Sequence, residues 1–377
     1  MKRFLVLFSL ALIPAWGWGQ RRVVQLRPAP AKAETKETRY ARLDQYARQL
    51  PETQATTLEK LATSLAAQAR SDDDKARLIF AWLTHHIAYD VAYLHGDTTS
   101  LYTPEAVLRS RKAICQGYAD LFTDLATRMK LEAHTVSGHA YNWLTTGNPL
   151  NTTNGHAWNA YRIAGTWHLA DATWGAGSMS LGSEEFEPKF KPYWFDLPSS
   201  QAIFTHLPDS ITWQLLPSPV TIAAFRSWPY VEPVWFQLIS SASLIRAFEV
   251  AKGAVRNLPT VEVETEAGGV PVQLVQVPLQ PELVAGRPVR FVFQAPSSVR
   301  LTVDLYNKLV ELQPNGVYQQ ATVIPAGDQL TVRAWHKADS TTIFLLQYQV
   351  IPALRPKRLQ PGEHRKVPAD SVVYLRR

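Results

Sequence analysis

Two strand-like runs, His156-Ala157-Trp158-Asn159-Ala160-Tyr161-Arg162-Ile163 and Trp167-His168-Leu169-Ala170-Asp171-Ala172-Thr173-Trp174, are separated by only Ala164-Gly165-Thr166. β-favouring runs this close together fold back on each other as a hairpin. With Ala164-Gly165 as a two-residue loop, Ile163 faces Thr166, Trp158 faces Asp171, and His156 lies diagonal to Asp171 on the same face. A three-residue loop puts His156 and Asp171 on opposite faces, and a Gly165-Thr166 loop keeps the face but moves them apart. Bringing this imidazole and carboxylate within side-chain reach takes the first register or a bulge.

An imidazole steered by a carboxylate is half of a nucleophilic site, and the chain offers one thiol to complete it. Cys115 is the single cysteine, in Ala113-Ile114-Cys115-Gln116-Gly117-Tyr118-Ala119-Asp120-Leu121-Phe122. The apolar spacing Tyr118, Leu121, Phe122, Leu125, Met129 predicts an amphipathic helix ending near Lys130, with Cys115 in its first turn. There the unpaired amides and the positive end of the helix dipole favour a thiolate, and Arg111 and Lys112 add to that field. The alternative is a small buried core residue. Four histidines compete to partner the thiol: His134, His139, His156 and His168. His156 shares a face with a nearby carboxylate, His168 has the opposite parity to Asp171, and His139 is the reserve candidate.

Compartment bears on that thiol. Lys2-Arg3, the apolar run Phe4 to Ala15 and Gly17-Trp18-Gly19 have the pattern of a signal peptide, residues 1–19. The apolar run is short of the roughly 20 residues a membrane span needs, and Pro14 interrupts it. The expectation is a secreted or periplasmic protein with no membrane span after cleavage. In an oxidising compartment a lone cysteine is buried and inert, paired between chains, or reactive.

At 377 residues with 46% hydrophobic and 19% charged side chains, the chain is globular and too long for one small core. Residues 20–38 read as a linker, with Pro28, Pro30 and several alanines. Residues 39–255 form the first domain, opening with two helices, Tyr40 to Gln49 and Thr57 to Ala69, that pack as a pair. Ser71 and Asp72-Asp73-Asp74 start a further helix, and Leu78, Ile79, Trp82, Leu83 and Ile87 give it one apolar face. His85 and His86 near its end suit the negative end of the helix dipole better than a metal. A short helix begins at Thr103-Pro104-Glu105. Leu131 to His139 reads as a strand, and Ala140 to Asn154 as a loop.

Cys115-Gln116-Gly117-Tyr118, Gly155-His156-Ala157-Trp158-Asn159 and the run from Trp167 to Gly175 together resemble the transglutaminase-like superfamily, whose Cys, His and Asp occur in that order. Tyr193-Trp194-Phe195, His206-Leu207-Pro208, Trp213-Gln214-Leu215-Leu216 and Phe225 extend the resemblance to its kyphoscoliosis-peptidase branch, over about residues 72–235. The resemblance implies an α+β, papain-like core in which a cysteine-bearing helix packs on an antiparallel sheet. It also implies Cys115 as nucleophile, His156 as general base and Asp171 as the group orienting the imidazole. No residue matches the side chain that assists the oxyanion in related enzymes. Gln116, Trp158 and Trp82 are the candidates, and backbone amides at the helix start could serve instead.

The segment Ser243 to Val250 fits a helix or a strand. From Thr260 onward short alternating runs separated by turn signals predict an all-β immunoglobulin-like sandwich, residues 256–352, with Asn315-Gly316 as a hairpin turn. That module either docks a substrate or cell-envelope partner, or only stabilises its neighbour. Residues 353–377 form a basic tail and carry much of the formal charge of +7. No nucleic-acid-reading motif accompanies that charge. No cofactor or metal is called for, because the histidines lack ligand spacing.

These features favour a cysteine enzyme acting on amide bonds of protein or peptide substrates through a thioacyl intermediate, as a protease or amidase. The alternatives are a cross-linking acyl transferase and a non-catalytic envelope binding or assembly module.

Overall fold

The computed structural model describes residues 34–97, 99–140, 155–179, 185–261, 272–306, 308–336 and 342–353. The expected signal sequence, most of the expected linker, and nearly all of the expected loop from Ala140 to Asn154 and of the expected basic tail lie outside the described residues.

The first core is built around the helix Asp72–His86. Ser71 caps it, its hydroxyl oxygen accepting from the Asp74 amide at 3.1 Å, and three aspartates occupy its first turn, where the dipole favours negative charge. The expected single apolar face is in fact a helix enclosed on nearly every side: every residue from Ala76 to Thr84 is buried. Arg77 is tolerated there because both its Nε and Nη2 donate to Asp44 at 2.7 Å, while its guanidinium lies over the rings of Tyr40 and Phe195.

The two leading helices do not pack mainly on each other. Lys36–Arg48 runs along Asp72–His86, and Leu58–Ala66, in which Leu58, Leu61 and Leu65 are buried, lies mainly beside the helix Cys115–Arg128. Tyr46 joins the pair by donating its hydroxyl to the Ser64 carbonyl at 2.9 Å.

A five-stranded antiparallel sheet follows, in the order Phe195–Leu197, Thr166–Ala170, Gly155–Ile163, Ala133–Ala140, His206–Pro208. The hairpin has the first of the three registers considered: Ile163 faces Thr166 and Asn159 faces Ala170. Ala164 and Gly165 both take positive φ, 48° and 88°, the turn whose twist suits a two-residue loop. The helix Cys115–Arg128 packs across this sheet. Buried Asn159 fixes the contact, donating to the Ala119 carbonyl at 2.9 Å and the Thr123 hydroxyl at 3.1 Å.

A second core joins two further sheets. One runs Gln273–Gln276, Val289–Gln294, Tyr318–Val323, Gln313–Asn315; the other runs Glu282–Val284, Thr342–Ile351, Gln329–His336, Val299–Leu305, Lys308–Glu311. All pairings are antiparallel except that of Glu282–Val284 with Thr342–Ile351. Phe291, Phe293, Leu301, Val303, Leu330, Val332, Leu346 and Tyr348 fill the space between, as in a β-sandwich. The turn after Gln313–Asn315 is one residue later than expected. Asn315 faces Tyr318, so Gly316 and Val317 form the loop, with Gly316 at φ 63°.

This core does not begin at residue 256. Ile203, Phe204 and Trp228 belong to it, as do Phe225, Trp235 and Phe248 on the helices Ile222–Ser227, Trp235–Leu238 and Ser241–Ala251. The ambiguous Ser243–Val250 segment is therefore helical, with Ser240 as its cap. Among the described residues no helix is long and apolar enough to cross a membrane.

Candidate active site

Cys115 is the first residue of its helix. Ile114, at the N-cap, has no side chain able to bond the free amides of the first turn, and none of the first-turn residues is acidic. Those amides and the dipole are therefore left facing the thiol. The cysteine is free and half-buried. Gly117 lets the helix start so close to its surroundings, since a Cβ there would sit 3.0 Å from Ala113, Tyr102 and Val107.

His156 is at the end of its strand nearest the thiol. Its Nε2 lies 2.7 Å from Asp171 Oδ2, which leaves Nδ1 as the nitrogen for Cys115. Asp171 ends the hairpin and caps the short helix Ala172–Ala176, its Oδ1 accepting from the Trp174 amide at 3.0 Å. Both His156 and Asp171 are nearly sealed from solvent, with side chains 8% and 1% exposed.

The electrostatics follow from this burial. Burial alone pushes the Cys115 thiol up; the hydrogen bond and charge of His156 and the amide of Ala157 outweigh it, so the thiol ionises below its ordinary value. Burial opposes charge on His156 as well, but the adjacent Asp171 carboxylate and the thiol raise its pKa above 6.5. Asp171 is lowered despite burial by the charge and hydrogen bond of His156, with help from His206. Together these favour a thiolate–imidazolium pair.

The other sequence candidates fall elsewhere. His168 bonds Asp196 at 2.7 Å, on the opposite face as its parity requires. His139, the reserve, has its Nε2 3.8 Å from Asp209, and His134 lies among Trp167 and Trp213. His86 bonds the Ala47 carbonyl at 3.0 Å and stacks on Trp82, and His85 packs on Phe190.

Each of the three oxyanion candidates is engaged by other side chains. Trp82 is fully buried between the His86 ring and the Arg111 guanidinium, a core residue with no face on solvent. The Gln116 side-chain amide is turned along the helix and donates to both oxygens of Asp120 at 2.9 Å. Trp158 is buried and stacked beside His156 and against His206, where it walls the site rather than reaching into it.

The residue that sequence reasoning left without a role is His206. Its Nε2 is 3.0 Å from the same Asp171 oxygen that His156 uses. The motif His206-Leu207-Pro208 was visible, but only strand pairing with Ala133–Ala140 brings it to the site. His156, Asp171 and His206 offer three donor atoms within 4.8 Å of one another. The two ring nitrogens stand at hydrogen-bond distance from one carboxylate oxygen, a spacing that N–H protons fill and a metal ion would have to widen.

With this geometry in hand, residues 59–172 match the transglutaminase-like superfamily. This segment is a transglutaminase-like domain. Human kyphoscoliosis peptidase is 32% identical over 192 residues, covering 51% of this chain and 29% of that protein. The Caenorhabditis elegans Lim and transglutaminase domain protein ltd-1 is 26% identical over 225 residues, with 56% and 31% covered. Hillarin of Drosophila melanogaster is 25% identical over 230 residues, with 56% and 27% covered. The chain thus spans less than a third of the length of these relatives.

Proposed function

We propose that this protein is a cysteine peptidase or amidase that cleaves amide bonds of protein or peptide substrates. The observation that carries the reading is the continuous connection from Cys115 through His156 to Asp171, in which the single thiol is held below its ordinary pKa. In the reaction the Cys115 sulfur bonds to the carbonyl carbon and His156 gives its proton to the departing amine as the C–N bond breaks. Water, deprotonated by His156, then attacks the thioester and releases the acid and the thiol. First-turn amides of the cysteine helix are the donors placed to meet the oxyanion. The name of the human relative, a peptidase, agrees with this reading.

An amine in place of water would give a cross-linking transferase by the same first half-reaction. Dye-labelled casein distinguishes the two. Released dye peptides, abolished in Cys115→Ala, support hydrolysis; incorporation of monodansylcadaverine into casein without release supports transfer; neither, with the thiol unreactive, supports a binding module. Export belongs to the same proposal and rests on the Lys2 to Gly19 pattern. Detection of a chain beginning near Gln20 outside the cytoplasm would support it, and an uncleaved cytoplasmic chain would refute it.

A further inference from the structure

We propose that His206 is a positioning residue of this site, a neutral second donor that fixes the Asp171 carboxylate so that it can hold His156. The inference rests on the triad reading above and extends it to a fourth side chain.

Asp171 accepts three hydrogen bonds: His156 Nε2 at 2.7 Å and His206 Nε2 at 3.0 Å on Oδ2, and the Trp174 amide at 3.0 Å on Oδ1. With donors on both oxygens the carboxylate cannot rotate without losing one of them. His206 comes from a different strand than either partner, so it ties the hairpin end to His206–Pro208.

The tautomer of His206 is supported from behind. The Thr205 hydroxyl lies 2.8 Å from its Nδ1 and 3.3 Å from the Ala202 carbonyl, and because the Asp171 carboxylate can only accept from Nε2, a neutral ring has Nδ1 free to take the hydroxyl's proton in place of that carbonyl. A hydroxyl donating to Nδ1 leaves the proton on Nε2, where Asp171 needs it. The imidazole is 2% exposed and is enclosed by Trp158, Trp174 and Trp194. The titratable groups facing it are Asp171 and His156. Burial, the largest influence, and the charge of His156 lower its pKa against the pull of Asp171, which favours the uncharged ring. Neutrality matters: a lysine or arginine here would bond Asp171 equally well but would repel the His156 imidazolium 5.5 Å away, ring to ring.

The test compares His206→Phe, His206→Gln and Thr205→Val in the full chain, reading the rate of Cys115 alkylation by iodoacetamide against pH together with the thermal midpoint. Phenylalanine keeps the ring volume without a donor; glutamine places an amide donor near the former Nε2. The expected result is alkylation at pH 6 slowed about 10- to 100-fold in His206→Phe, the scale seen when a group orienting a functional ligand is lost. His206→Gln should recover most of that loss. Thr205→Val, which removes the hydroxyl behind the ring and leaves the imidazole in place, should fall between and covers the case in which His206→Phe does not fold. Wild-type rates and pH profiles in His206→Phe and Thr205→Val would overturn the proposal. So would equal losses in His206→Gln and His206→Phe, which would mark His206 as packing alone. If the wild type itself shows an ordinary thiol near pH 8.5, the triad reading fails first and takes this proposal with it.

Discussion

Replacing Asp171 by asparagine keeps the size of the side chain and removes its charge. The carboxylate accepts from His156, His206 and the Trp174 amide. An amide has one oxygen, so in either orientation its NH2 confronts at least one of these donors. A hydrogen bond to a charged group contributes about 1.5–3 kcal/mol. Losing it from His156 removes about 10- to 150-fold of the preference for the imidazolium, and the apparent pKa of Cys115 should rise by about one to two pH units.

Folding should suffer as well, by about 1–3 kcal/mol for the buried unpaired donor. The sign with pH is fixed. Asp171 is held below its ordinary 3.8, so its contribution is complete above that pH and is lost as pH falls through the lower folded value. His156, raised above 6.5, contributes fully below 6.5 and loses its share as pH climbs through its folded value. The stability gap between wild type and Asp171→Asn should therefore narrow in strong acid. Thiolate absorbance near 240 nm is a clean assay, because the only thiol is Cys115. An unchanged absorbance titration in Asp171→Asn would refute the reasoning.

Other substitutions test the scaffold. Gly138 pairs with Pro208, and a Cβ there would sit 2.4 Å from the Leu207 carbonyl, so Gly138→Ala should displace the His206 strand and lower both the thermal midpoint and Cys115 reactivity. Ala164 holds φ 48°, a left-handed conformation that costs a non-glycine residue about 1 kcal/mol, so Ala164→Gly should raise the thermal midpoint slightly without altering thiol reactivity. Asp44→Ala strands the Arg77 guanidinium, 4% exposed, and should cost about 3 kcal/mol in a denaturant titration.

The parts of the site legible in the sequence were those set by local geometry. Two strand-like runs and a short turn marked the hairpin and left three registers open, of which the one that gives His156 and Asp171 a shared face is the one formed. The pattern from Tyr118 to Met129 gave the cysteine helix, which starts at Cys115 itself. What escaped depends on long-range packing. Nothing local tells that Trp82 lies under His86 and Arg111, or that Phe204, Phe225 and Phe248 fill the second core rather than the first. Hydrophobic spacing marks a buried face but not its partner. His206 is the same case: 35 positions from Asp171, it reaches the carboxylate only through sheet pairing with the strand that carries Gly138.

The central claim is that His156 activates Cys115, and the rate of iodoacetamide alkylation at pH 6, followed by intact mass, tests it most directly. Wild type should add one carbamidomethyl group rapidly, and His156→Ala should react at the rate of a free thiol whose pKa is about 8.5. Equal, slow alkylation of both proteins would contradict the account.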